Sequence, residues 1–176
     1  MPTKPRATRT LTPMSESSKT ITWSDPRPTA AVALQLSGLD FLKRMMAGEL
    51  PPPPIASRLG FDLMEVSEGD AVFEIVPDDS HYNPIGVVHG GVALTLLDSA
   101  AGCAVQSTLP QGFAYTSLET KVNFLRAITS DTGKLRAHGW VTKPGKRAAF
   151  AEADLRDSDG RVYATASSTC LVFPVA

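Results

Sequence analysis

The chain has 176 residues, of which 43% are hydrophobic and 20% charged, and its formal net charge is −1. That length suits one domain with a real core, and the near-neutral balance gives nucleic acid or an anionic membrane no electrostatic hold. No stretch approaches the roughly 18 uninterrupted apolar residues of a membrane span, and the two cysteines, Cys103 and Cys170, make neither a disulfide framework nor a metal-ligand cluster.

Composition shifts along the chain. Nine of the 14 prolines fall within residues 1–54, and residues 1–30 carry five basic side chains against two acidic ones. That segment is rich in Thr, Ser and Pro without apolar periodicity, and it reads as a disordered basic leader. Its Arg/Thr-rich start has some likeness to a transit peptide, but prolines at positions 2, 5 and 13 oppose the amphipathic helix such a segment needs. No apolar signal core stands near residue 1, and a cytoplasmic setting is expected. Residues 31–54 read as a short helix and a linker. Leu39, Leu42, Met45 and Met46 recur at helical spacing, Ser37 is a plausible N-cap, Gly48 can end the helix, and Pro51–Pro54 impose an extended run.

Residues 55–176 are expected to form the folded domain. Residues 58–76 read as a hairpin turning at Glu68-Gly69-Asp70. From residue 113 strand-like alternation resumes, continuing through 133–142, 147–157 and 161–173, with turns at Lys143–Lys146 and Asp157–Gly160. This half is expected to be a four-stranded antiparallel meander.

Between hairpin and meander lies Gly90–Gln106, apolar or small on every side except at Thr95, Asp98, Ser99 and Gln106. A helix apolar all round is a buried helix. The economical arrangement is α+β, a curved antiparallel sheet wrapped around this one long helix. Asp98 lies two turns inside it, where an ionised carboxylate needs partners. Gly102 follows one turn later, at a cost of about 1 kcal/mol relative to Ala, which suggests that something needs room there. Gly90-Gly91 opens the helix with unshielded N–H groups suited to a developing oxyanion, and Asn83 brings an amide donor upstream.

A carboxylate, bare N–H groups and an amide are the parts needed for water attack on an activated carbonyl. Gly90 and Asp98 are nevertheless separated by about 12 Å of helix rise. One carbonyl therefore cannot touch both in a single chain. A second copy with its helix antiparallel would bring Asp98 beside the other copy's Gly90, so a homodimer with two composite sites is expected.

The run Asn83-Pro84-Ile85-Gly86-Val87-Val88-His89-Gly90-Gly91, followed by Leu97-Asp98-Ser99-Ala100, resembles the signature of hotdog-fold thioesterases of the PaaI-like (phenylacetic acid degradation) type. The likeness continues through Tyr115–Glu119, Val122–Arg126, Gly145-Lys146-Arg147 and Asp159–Ala164, about residues 55–173 in all. It implies a hotdog fold and an acyl-CoA thioesterase that needs no cofactor beyond the coenzyme A of its substrate. It further implies a dimer or dimer-of-dimers tetramer with sites at the subunit interface. In this likeness Asp98 is the catalytic nucleophile or general base, Gly90 supplies the oxyanion N–H, and Asn83 orients the carbonyl or the water. Ser117 stands where relatives place an assisting hydroxyl, and some relatives have Glu in place of Asp98. His89 either polarises the carbonyl or braces the loop before the helix.

Arg126, Lys143, Lys146 and Arg147 are candidates for binding coenzyme A phosphates, with a solvated turn as the alternative for each. His81 and Tyr82 either line the acyl pocket or pack. No metal site is expected. Two other functions fit the composition: a hotdog acyl-CoA dehydratase or hydratase using His89 with Asp98, and a non-catalytic acyl-CoA-binding sensor. The acyl group itself is not legible.

Overall fold

A computed structural model describes residues 16–175. Three short helices come first: α1 (Pro26–Ala33), α2 (Gly38–Met46) and α3 (Pro54–Leu59). Strands β1 (Phe61–Ser67) and β2 (Asp70–Ile75) precede the long helix α4 (Gly90–Ser107). Strands β3 (Phe113–Phe124), β4 (Leu135–Lys143), β5 (Ala148–Asp157) and β6 (Val162–Pro174) follow. All six strands form one antiparallel sheet in the order β1-β2-β4-β5-β6-β3, and α4 packs against every strand. This is the α+β hotdog arrangement, a sheet curved around one helix.

The packing follows from the residues of α4. Val92, Leu96, Leu97, Ala100, Ala101, Ala104 and Val105 are all buried, and full burial of a side chain such as Leu96 stabilises by about 1.5–3 kcal/mol. Closest approach comes at Gly139 of β4, where an added Cβ would lie 2.3 Å from the backbone carbon of Ala100. A glycine facing an alanine lets strand and helix backbones meet. Ser107, buried at the end of α4, is satisfied on both sides: its Oγ donates to Ala104 O at 2.7 Å and accepts from Gly69 N at 2.8 Å. That pair of bonds pins the β1–β2 turn to the helix.

The four-stranded meander is corrected. Strands β4, β5 and β6 do form one, but β3 pairs with β6 at the far edge of the sheet. Reaching β4 from β3 means crossing two strands, roughly 14 Å at the spacing of a sheet. The ten residues between β3 and β4, with a 3₁₀ turn at Ser130–Thr132, are ample for this. Alternation shows that a segment is a strand but carries no information about its neighbours.

The N-terminal region also differs. Helix α1 lies partly inside the expected leader, because Asp25 caps it through a bond from Arg27 N at 3.0 Å and Pro26 occupies the first turn, where no N–H is required. Residues 1–15 of that leader lie outside the described residues. Helix α2 forms as expected, with Ser37 Oγ accepting from Asp40 N. The last proline of the run, Pro54, starts α3 instead of extending the linker, and Gly60 ends that helix in the left-handed conformation at φ 71°. The extended run expected from residue 58 therefore begins at Phe61.

Replacing Gly139 by Ala forces a methyl into backbone atoms that cannot yield, and overpacking of this kind costs about 1–3 kcal/mol. Gly139→Ala is expected to lower the urea midpoint accordingly without changing the slope of the transition.

Candidate active site

Asp98 is half-buried on α4, on the side that faces β3. Its Oδ1 accepts two hydroxyl hydrogen bonds, from Ser117 Oγ at 3.0 Å and from Thr120 Oγ1 at 2.7 Å. Ser168 Oγ lies 3.3 Å from Thr120 Oγ1 and donates to Glu119 O at 3.0 Å. The second carboxylate oxygen, Oδ2, has no hydrogen-bond partner among the described residues.

Ser117 and Thr120 are three residues apart, so strict alternation would put them on opposite faces. A β-bulge resolves this. Ser117 pairs with Cys170 and Glu119 with Thr169, leaving Leu118 as an extra residue. The helix-facing side of β3 therefore runs Tyr115, Ser117, then Thr120, Val122. Ser117 was legible in the sequence, whereas Thr120 and Ser168 were not, because no local pattern announces a bulge of this kind.

The room beside Asp98 belongs to Tyr115. A Cβ on Gly102 would lie 2.2 Å from the Tyr115 hydroxyl oxygen. Burial, and then the charge of nearby groups that include Asp98, push the Tyr115 phenol well above its ordinary range. Burial and the same carboxylate push the Cys103 thiol up to about 12. Burial likewise raises Cys170. Both thiols are neutral packing groups near neutral pH, not nucleophiles.

The start of α4 departs from expectation in one respect. The Gly91 N–H is not free, since His89 caps the helix with Nδ1 accepting from Gly91 N at 2.9 Å. His89 thus braces the helix start, and with Nδ1 accepting, the neutral ring carries its proton on Nε2. Gly90 N has no acceptor among the described residues. Phe124 lies against Gly90, so close that a Cβ there would come within 3.0 Å of the ring. Asn83 Oδ1 accepts from Ile85 N at 3.0 Å and Val87 N at 3.4 Å, which shapes the loop and leaves only the side-chain NH₂ to donate elsewhere.

The candidate cations do not form one cluster. Arg126 lines a cavity of about 410 Å³ together with His89, Gly90 and Phe124, and its guanidinium donates to Val162 O. Lys146 lies at the opposite end of α4, beside a cavity of about 850 Å³ that includes Thr108 and Leu109. Lys143 sits 6.0 Å from the Phe150 ring centroid, and Arg147 is exposed on the β4–β5 turn. His81 and Tyr82 are structural. His81 is buried, with Nδ1 accepting from Asp78 N at 2.9 Å and Nε2 3.0 Å from Leu59 O. The Tyr82 oxygen accepts from Ser130 N at 2.9 Å. Among the described residues no group of three or more His, Cys, Asp or Glu side chains is placed to hold a metal ion. No described helix is long and apolar enough to cross a membrane.

Comparison with known proteins bears on this arrangement. The profile of the thioesterase superfamily matches residues 85–164, the stretch that holds the Gly90 turn, Asp98, Ser117 and Thr120. A protein of Halobacterium salinarum named as an esterase is 31% identical over 130 residues, 68% of this chain and 84% of that protein. Human acyl-coenzyme A thioesterase 13 is 28% identical over 109 residues, 61% of this chain and 76% of that protein. Among solved structures, a phenylacetic acid degradation-related thioesterase-type protein of Ralstonia eutropha superimposes with a TM-score of 0.67 at 31% identity. That superposition covers 74% of this chain and 98% of the other. By sequence and by fold, the chain belongs to the thioesterase superfamily, among its PaaI-like hotdog-fold members.

Proposed function

We propose that this protein hydrolyses acyl-CoA thioesters to the free acid and coenzyme A, as a homodimer with two composite sites. The observation that carries this reading is Asp98, whose Oδ1 is fixed by Ser117 and Thr120 while Oδ2 is left unbonded on a half-open face. Two hydroxyl donors hold the carboxylate in one orientation with the other oxygen free, which is what a general base needs. Water attacks the thioester carbonyl carbon as Asp98 Oδ2 takes its proton. The resulting oxyanion accepts the N–H of the second copy's Gly90, and the Asn83 NH₂ group is available to the carbonyl or the water. The tetrahedral intermediate collapses with cleavage of the C–S bond, and the leaving thiolate takes the proton from Asp98. The reaction consumes one water and needs no cofactor besides the coenzyme A carried by the substrate.

The second copy is required by distance and favoured by the surface of β3. About 12 Å of helix separates Gly90 from Asp98 in one chain. Strand β3 is a twelve-residue sheet edge, and it exposes Leu118 at 62%, with Phe124 at 58% and Leu125 at 53% alongside. A long apolar edge invites pairing with another strand, and a second copy pairing there would bury these side chains beside the site. Arg126, next to Gly90, is then the cation best placed to meet a coenzyme A phosphate. A hydratase would use His89 for proton transfer at carbon; with Nδ1 held as the helix cap, Nε2 would have to serve it.

Asp98→Asn keeps the Oδ1 acceptor for both hydroxyls, so melting temperature and coenzyme A binding are expected to match the parent. Thiol release from acyl-CoA should fall by about 10²–10⁴-fold, the usual scale for loss of a general base. Equal rates in parent and variant would overturn the assigned mechanism. For the assembly, Leu118→Lys is expected to sediment as a folded monomer with most activity lost. A fully active dimeric Leu118→Lys would remove the β3 edge from the proposed interface.

A further inference from the structure

A second apolar cavity, of about 330 Å³, lies between the N-terminal helices and the hotdog core. Its outer wall comes from α1, α2 and the proline run, through residues such as Ala30, Phe41, Met45 and Pro52; its inner wall includes Cys103 and Tyr115. No charged side chain lines it. The volume falls at the low end of ligand pockets, roughly 300–1,000 Å³.

The inner wall is the neighbourhood of Asp98. Cys103 lies five residues beyond Asp98 on α4, about 7.5 Å along the axis, and Tyr115 packs on Gly102 between them. The two helices of the outer wall are held differently, although Lys19 before α1 also pairs with Asp78 at 3.1 Å. Helix α2 is docked on the end of α4, where Gly38 N donates to Leu109 O at 2.9 Å and a Cβ at Gly38 would collide with Gln106 O. Helix α1, by contrast, is eight residues long and buries none of them. So short a helix is not stable on its own, and Thr29, Ala30, Ala33 and Leu34 face the cavity. An apolar occupant would complete the burial that α1 lacks.

We propose that this cavity is the chamber for the acyl tail, with α1 as its lid, so that residues 24–53 select acyl groups long and apolar enough to pass Tyr115. This rests on the thioesterase reading and names its substrate class: uncharged acyl chains well beyond acetyl or butyryl length. Every N-terminal residue of the chamber lies outside the segment matched by the family profile.

The test compares the parent with Ala30→Phe, which fills the chamber from a helix that contributes nothing to the core. Thiol release is measured from butyryl-, octanoyl-, dodecanoyl- and palmitoyl-CoA, and dodecanoate binding is measured by calorimetry. The parent should favour the longer chains. Ala30→Phe should lose about tenfold or more in kcat/KM on dodecanoyl-CoA while butyryl-CoA turnover stays close to the parent's, a contrast within reach of a filled apolar pocket. An unchanged chain-length profile, or an equal loss on every substrate, would overturn the chamber. If the parent released no thiol from any acyl-CoA yet bound dodecanoate in an Ala30→Phe-sensitive manner, the thioesterase reading would fail and the chamber would stand. Absence of both turnover and dodecanoate binding would overturn both.

Discussion

Helix α4 is buried around most of its circumference, with only a narrow stripe that includes Thr95, Asp98, Ser99 and Gln106 left partly exposed, and such an element must be covered on most sides by the rest of the chain. The curvature of the sheet, the small residues at its closest approaches and the placement of all six strands follow from that requirement. Gly139 against Ala100 is where strand and helix meet backbone to backbone. Where the cover is incomplete, on the side facing β3, the one carboxylate of the helix is found. Burial of the helix and exposure of Asp98 are two consequences of the same packing.

The chemistry depends on how β3 is shaped at that opening. Without the bulge at Leu118, Ser117 and Thr120 would point to opposite sides of the strand and Asp98 would keep at most one of them. The bulge also turns Leu118 outward as an apolar knob on the sheet edge. One irregularity therefore orients the carboxylate and exposes the edge at which the proposed homodimer would pair. At the other end of the helix His89 takes the Gly91 N–H for itself, which narrows the candidate oxyanion donors to Gly90.

The N-terminal helices lie outside the segment that the family profile matches. They do not extend the sheet; they enclose a space next to the site. Helix α2 is held by a hydrogen bond to the end of α4, whereas α1 buries no residue. Segments with few buried contacts open most easily, which is the property that the proposed lid would use.

The amino-acid pattern alone determined the long helix and the strands and pointed to the carboxylate. The apolar run of the long helix, the alternation in the strands, the Gly90 turn and Asp98 were legible because each is a local property: a period, a cap, or a residue type out of keeping with its surroundings; Ser117 was legible only through the family resemblance. The place of β3 beside β6 was not legible, since alternation is blind to partners. Neither were Thr120 and Ser168 at the carboxylate, which a bulge and a strand pairing bring there. Gly102 signalled a need for space, but only the folded chain identified Tyr115 as what fills it. Local sequence sets local geometry, whereas contacts between residues far apart in the chain are decided by the packing of whole elements, and the surroundings of Asp98 are made almost entirely of such contacts.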